Sequence, residues 1–371
     1  MRALSRTALI GAASAALTLG AGIPVGAASA ADAATPGWRQ VKVFDCQGAN
    51  GLWITANGPR NAWASGFCGP TLAHWNGQSW REVSLPSRFG GFETDPAIAT
   101  LSGSYVWTFA ETFAGLRASY ALLRNNNRWR TFNLANNSQL TSAVVFSRTN
   151  AWAFGSIGAA AYVIRFNGQT WRRVTIPVVP QATAAPRPGN IWAVGAPATA
   201  ANGKSARIFT LAHWTGRWTT HPLPNLHLAS GQSLGTPSVV TDGSGGAWIT
   251  ATIVQLPRAD AAGGVLLHWT GRTWNRAQIP FKTLGLGPLA HDGHGGLWMT
   301  SFIPNASQDD FSMLHLTRAG TWTSTVLNVE VGLQLWTLNS VRLIPGTDSL
   351  WAGGSVLADS DTFPVILKYG P

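Results

Sequence analysis

The phrase LAHWNGQSWREVSLP at 72–86 returns as LAHWTGRWTTHPLP at 211–224 and as LLHWTGRTWNRAQIP at 266–280. A chain that repeats a phrase builds one supersecondary unit several times, and the period tells which unit. A second recurring phrase is anchored by Trp63 in NAWASG, Trp107 in YVWTFA, Trp152 in NAWAFG, Trp192 in NIWAVG, Trp248 in GAWITA, Trp298 in GLWMTS and Trp351 in SLWAGG. The steps between these seven tryptophans are 44, 45, 40, 56, 50 and 53 residues.

Each unit has the same internal order. An apolar, β-branched run such as TSAVVF comes first, then a turn rich in Gly, Asn, Asp and Pro, such as PRPGN or DGSGG, then the Trp strand. A loop of variable length leads to the LAHWNG-type strand, and a second Gly/Asn turn leads to a strand of WREV type. Short runs bounded by such turns read as strands. No capped apolar run of helical period follows residue 30. Four antiparallel strands repeated every 40–56 residues are the blade of an all-β, seven-bladed β-propeller.

The two ends test this reading. The last unit stops after its third strand, PVILKYGP (364–371), without a W-R partner. A spare one, GWRQVKVF, stands at 37–44. Pairing it with 364–369 completes the last blade and leaves no sheet edge open. The fourth strands then begin at Trp38, Trp80, Trp129, Trp171, Trp218, Trp274 and Trp322. A Trp repeated at one blade position is expected to wedge between neighbouring sheets, with a partner for its indole N–H.

His74, His213, His268 and His315 share one third-strand position, where Leu123, Arg165 and Lys368 stand in other blades. With strands ~4.8 Å apart, equivalent atoms of adjacent blades are on the order of 14 Å apart at this radius. Zinc needs its ligands within about 2 Å. These histidines are therefore expected to pack and donate within blades. His291 and His294 flank Asp292 in HDGHGG, but no third ligand is near in sequence, and a turn explains the segment. No metal site is assigned.

The repeat resembles the Trp-rich propeller repeats of secreted bacterial proteins and is similar to kelch, tectonin and regulator-type propellers. DGSGGAWIT (242–250) and DGHGGLWMT (292–300) look like the repeat phrase of regulator and streptogramin-lyase-like propellers. The resemblance covers nearly all of 37–371 and implies a fold. It does not imply one function, because propellers host binding modules, enzymes and scaffolds alike.

The first 30 residues read as a secretion signal. Arg2 and Arg6 precede an apolar stretch, and ASA at 28–30 fits a cleavage site. A short linker, 31–36, leads to a single propeller domain, 37–371. The expected protein is extracellular and monomeric, with no transmembrane segment. Two cysteines in an oxidising compartment, Cys46 and Cys68, are expected to form a disulfide that ties the closing strand to the first blade.

Net charge is +11, and arginine supplies most of the 26 basic residues. A GC-rich genome would produce this composition. So would an anionic partner. Arg39, Arg81, Arg130 and Arg172 each follow the Trp of a fourth strand, in blades 7, 1, 2 and 3, which are contiguous once the ring closes. Blades 4, 5 and 6 carry Thr219, Asn275 and Thr323 there. The arginines either cover the edge tryptophans or dock a polyanion. Among only 15 acidic residues, Asp309 and Asp310 (blade 6) and Asp359 and Asp361 (blade 7) lie in loops that could converge on a ligand or a weak calcium ion. No G-x-S-x-G occurs, and no catalytic residue is assigned. The expected function is non-catalytic binding of an extracellular glycan, anionic wall polymer or protein, with no cofactor; nucleic acid fits an exported chain poorly. The alternative is an extracellular lyase or glycoside hydrolase using the loop carboxylates.

Overall fold

The computed structural model describes residues 37–47, 51–67, 69, 71–90, 92–112, 118–198, 209–258, 260–303 and 310–371. They form seven four-stranded antiparallel sheets. The first strands of blades 1 to 7 are Trp53–Gly58, Phe92–Ser102, Ser138–Ser147, Val178–Arg187, Gln232–Thr241, Gly285–His291 and Gln334–Leu343. In six blades the strands follow in chain order from inside to outside. First strands of neighbouring blades touch, and the circle closes between Gln334–Leu343 and Trp53–Gly58. Ser340 secures that closure: its hydroxyl donates to the Leu52 carbonyl at 3.0 Å and accepts from the Ile54 N–H at 3.1 Å. Among the described residues, the one helical segment is a single 3-10 turn at Ser87–Phe89.

The last blade is closed by the N-terminal strand. Trp38–Val43 pairs antiparallel with Asp361–Tyr369, setting Trp38 opposite Tyr369 and Val43 opposite Val365. The Phe44 N–H extends the ladder to the Pro364 carbonyl at 3.0 Å. The expected pairing of 38–44 with 364–369 is therefore the one observed.

Seven apolar clusters fill the seven spaces between consecutive blades. Trp63 packs with Ile98 and Val106 of blade 2, Trp107 with Ala153 and Ile164 of blade 3, and Trp351 with Ile54 and Ala64 of blade 1. The second-strand Trp is the wedge that the repeat implied. Its indole N–H behaves differently from the expectation. In Trp63, Trp107, Trp192 and Trp351 it is buried without a hydrogen-bond acceptor among the described residues. Edge-to-face ring contacts surround several of these indoles: Trp107–Trp171 at 4.9 Å and 79°, and Trp80–Trp351 at 5.3 Å and 76°. Such pairs bring a positive ring edge to a neighbour's π face, which offsets part of the cost of the missing acceptor.

The glycine three residues after the Trp in blades 3, 4 and 7 also has a cause. The first strand bulges there, between Leu140 and Ser142, between Pro180 and Ala182, and between Leu335 and Thr337. A Cβ at Gly155, Gly195 or Gly354 would stand 1.9 Å from a carbonyl oxygen of that bulged strand.

Candidate functional site

The recurrent His–Trp pair follows from register. Each second-strand Trp lies opposite the third-strand position that the repeat marks: Trp63 opposite His74, Trp192 opposite His213, Trp248 opposite His268 and Trp298 opposite His315. The rings stack at 4.1, 3.6, 4.0 and 4.2 Å. In blades 3 and 7 a cation takes the same place, with Arg165 at 5.3 Å from the Trp152 ring and Lys368 at 5.8 Å from that of Trp351. Each imidazole Nε2 bonds to a residue of the preceding turn: Asn61 at 3.2 Å, Asn190 at 2.9 Å, Asp242 at 2.9 Å and Asp292 at 3.0 Å. Where the acceptor is neutral, the histidine is held neutral. Burial, and then the Arg124 charge, push His74 down to about 4. Burial, then His221, lowers His213. Where the acceptor is an aspartate, burial alone would raise its pKa, but the histidine and the backbone N–H groups of the turn outweigh it. Asp242 and Asp292 are held below the ordinary carboxylate range. These groups join turn to strand inside each blade. Among the described residues no three His, Cys, Asp or Glu side chains gather for a metal.

The arginine arc is placed as the closure argument required. Arg39, Arg81, Arg130 and Arg172 occupy equivalent, exposed positions on the fourth strands of blades 7, 1, 2 and 3. They lie opposite Lys368, His74, Leu123 and Arg165 on the third strands. Arg130 lies 4.5 Å from the Phe132 ring centroid and donates to the Gln169 carbonyl of blade 3 at 3.3 Å. Arg39 donates to the Gly370 carbonyl. Arg81 spends one weak contact on Ser79 at 3.4 Å. None of the four is in an ion pair among the described residues, where the three ion pairs are all between His and Asp.

The structure places further cations on the same strands as this arc. The third and fourth strands of blades 7, 1, 2 and 3 carry ten basic residues: the four above with Lys42, Arg124, Arg128, Arg165, Arg173 and Lys368. Against them stand Glu82 and Asp361, a balance of 10 − 2 = +8. The same strands of blades 4, 5 and 6 carry Arg276 against Asp260 and Asp310, a balance of 1 − 2 = −1. Counting charge over both outer strands, rather than at one repeat position, would have found the larger patch.

The acidic candidates are not brought together by anything described. Asp359 is exposed in the turn after Leu350–Ala358, at φ +55°, and Asp361 is exposed and opposite Ala358. Asp310 opens the strand Asp310–Leu316, and Asp309 lies outside the described residues. The carboxylate-based hydrolase or lyase reading therefore rests on sequence alone. Cys46 packs beside the cluster that joins the closing strand to blade 1. Cys68 lies outside the described residues, so the bridge stays an expectation. So does the leader, since 1–36 are outside as well. No helix among the described residues is long and apolar enough to cross a membrane.

No family model matches the chain, and no curated protein matches it by sequence. Solved structures do. The chain is similar to "YCF48 bound to D1 peptide", at 13% identity and a TM-score of 0.59, over 90% of this chain and 97% of that one. It is also similar to a GH74 xyloglucanase from Xanthomonas campestris, at 14% identity and a TM-score of 0.52, over 86% of this chain and 53% of the enzyme. It thus spans about half of the xyloglucanase. At these identities the likeness is one of fold, and it agrees with the strand order: the chain is a seven-bladed β-propeller.

Proposed function

We propose that this chain is an exported, non-catalytic binding propeller that holds an anionic polymer of the extracellular surface along the outer edge of blades 7, 1, 2 and 3. The observation that carries the reading is the charge balance of the third and fourth strands, +8 in blades 7, 1, 2 and 3 and −1 in blades 4, 5 and 6, where Arg217, Arg272 and Arg318 stand in the joining turns. One-sided charge of this size steers and retains an anionic partner. Composition alone would not favour the outer strands of four contiguous blades over those of the other three.

Geometry favours a polymer over a small ligand. Fourth strands lie one ~4.8 Å spacing further out than third strands, so equivalent arginines of adjacent blades are on the order of 18 Å apart. Only a long, flexible polyanion reaches from Arg39 to Arg172. An anionic glycan or wall polymer has that length and repeats its charge. The YCF48 structure, which holds a D1 peptide, is a precedent for a propeller of this shape acting as a binding platform.

The test compares two charge reversals of equal size. Arg81→Glu with Arg130→Glu alters the arc. Arg217→Glu with Arg272→Glu makes the same change in net charge on the exposed third-to-fourth turns of blades 4 and 5. Mature protein is titrated with heparin and with a polyglycerol phosphate. The expected result is a loss of roughly tenfold or more for the arc pair and little for the other pair. Equal losses would reduce the effect to net charge, and unchanged binding by the arc pair would move the site elsewhere.

A further inference from the structure

The axis of the ring carries a second, separate feature. A cavity of about 370 Å³ lies where the first strands run into their turns. Blades 1, 3, 4, 5, 6 and 7 all contribute to its wall. Most of that wall is small and apolar, with Ala143, Val144, Ala184, Val240 and Leu289 among it. Ser142, Thr183 and Thr241 add hydroxyls. A smaller cavity of about 70 Å³ continues from it along the axis, and Arg342, Ser142 and Ala143 line both.

Arg342 is the charged side chain that lines both cavities. Protein surrounds it, yet its side chain keeps accessible surface because it stands in the open channel. It spends one N–H on the adjacent Val341 carbonyl at 3.2 Å. A guanidinium has five donors. Among the described residues no carboxylate pairs with it, and none lines either cavity. Its neighbour at the cavity wall is His291. Burial lowers the His291 pKa most; Asp292 raises it and Arg342 lowers it further, so at neutral pH the imidazole brings hydrogen bonds without charge. Asp292 is itself engaged, accepting from His315 and from the His294 and Gly296 N–H groups. A guanidinium that stands open in the channel with most of its N–H donors uncommitted to protein is placed to bind an anion that enters.

We propose that this channel is a binding site for a small amphiphilic monoanion, with its carboxylate on Arg342 and a compact aliphatic body against the Ala/Val/Leu wall. One uncompensated positive charge selects one negative charge. The apolar wall selects an aliphatic body, and a volume of this size is at the lower end for small-molecule sites. The site is independent of the outer arc and opens at the end of the ring where first strands turn into second strands.

The experiment uses calorimetric titration of the full mature protein with octanoate, octanamide and octylammonium. Octanoate is expected to bind, and the amide and the amine are not. Arg342→Leu should weaken octanoate roughly tenfold or more, the loss of one charged hydrogen-bonded pair. Thr241→Phe, which narrows the cavity and leaves Arg342 intact, should abolish binding. Arg81→Glu with Arg130→Glu should leave it unchanged. Without ligand, Arg342→Leu should melt at the same temperature as the parent or above it, because among the described residues Arg342 has no ion pair to lose. Absence of octanoate binding at millimolar concentration, equal binding of octanamide, or equal binding by Arg342→Leu would overturn the assignment. So would a marked fall in the melting temperature of unliganded Arg342→Leu, which would make the arginine a structural group.

Discussion

Phe44→Ala tests whether the closing strand is part of the cooperative fold. Phe44 follows Trp38–Val43, is 1% exposed and sits in the cluster with Ile54, Trp80, Trp351 and Ile366, between blades 7 and 1. Its ring is thus shared by the two blades that the chain termini must hold together. Truncating a buried Phe to Ala costs about 3–5 kcal/mol, because both transfer energy and a cavity are involved. The span from 37 to 371 runs over 371 − 36 = 335 residues. At roughly 2.1 cal/mol/K per residue its unfolding entropy is about 0.7 kcal/mol/K, so the expected fall in Tm is about 4–7 °C. Lys42→Ala is the control on the same strand. Lys42 is exposed and lies 5.4 Å from the Phe44 ring, so its loss should cost about 1 kcal/mol or less. The assay is guanidinium unfolding followed by tryptophan fluorescence, with thermal melts alongside. A loss under 1 kcal/mol for Phe44→Ala would refute the reasoning. It would mean that the N-terminal strand frays before the ring opens.

Other outcomes follow from single groups. His74 has a folded pKa near 4, below its ordinary 6.5. The unfolded chain therefore binds the extra proton between those values, and this contribution to stability, whole above pH 6.5, falls as pH drops toward 4. His74→Gln should flatten the Tm–pH curve in that window; an unaltered curve contradicts a neutral His74. Asp242 and Asp292 act lower: their contribution is present above the ordinary carboxylate range and is lost as pH falls through their depressed folded pKa values. Asp242→Asn should therefore reduce, with Asp292 still contributing, the acid sensitivity below about pH 4 and leave the His74 window in place. Gly195→Ala should destabilise by roughly 1–3 kcal/mol, since the new Cβ would meet the Val179 carbonyl oxygen at 1.9 Å; a neutral result by chemical denaturation would disprove the close-approach account. Mass spectrometry of the unreduced secreted protein should find Cys46 joined to Cys68, a brace worth roughly 3 kcal/mol, and a free thiol at either position rules it out.

Blade number, strand order and closure were legible because they depend on period and on an unpaired strand at each end. The stacking of the third-strand histidines was legible in part. Their shared position marked them as packing groups, but their acceptors come from two different sequence offsets. Asn61 and Asn190 stand two residues before the Trp, whereas Asp242 and Asp292 stand six before it. Only the three-dimensional turn shows that they are equivalent. The unpartnered indoles were misjudged because a local rule for a lone Trp ignores the π faces that a ring of repeated aromatics provides. Arg342 was invisible for a different reason. Its strand reads VRL, like any half-buried strand, and nothing in that alternation tells which residue of an innermost strand meets the axis. The arc of Arg39, Arg81, Arg130 and Arg172 was legible once closure fixed the blade order. The six further cations were not gathered into it: Arg165 and Lys368 stand at the third-strand position read as packing, and Lys42, Arg124, Arg128 and Arg173 hold no common repeat position.

The most direct test of the proposed function is the salt dependence of polyanion binding. The logarithm of the association constant for a polyglycerol phosphate of fixed length, measured between 50 and 300 mM salt, should fall on a straight line whose slope counts the ionic contacts. The account predicts a clearly shallower slope for Arg81→Glu with Arg130→Glu than for the parent, and the parent's slope for Arg217→Glu with Arg272→Glu. Identical slopes for all three proteins would contradict it.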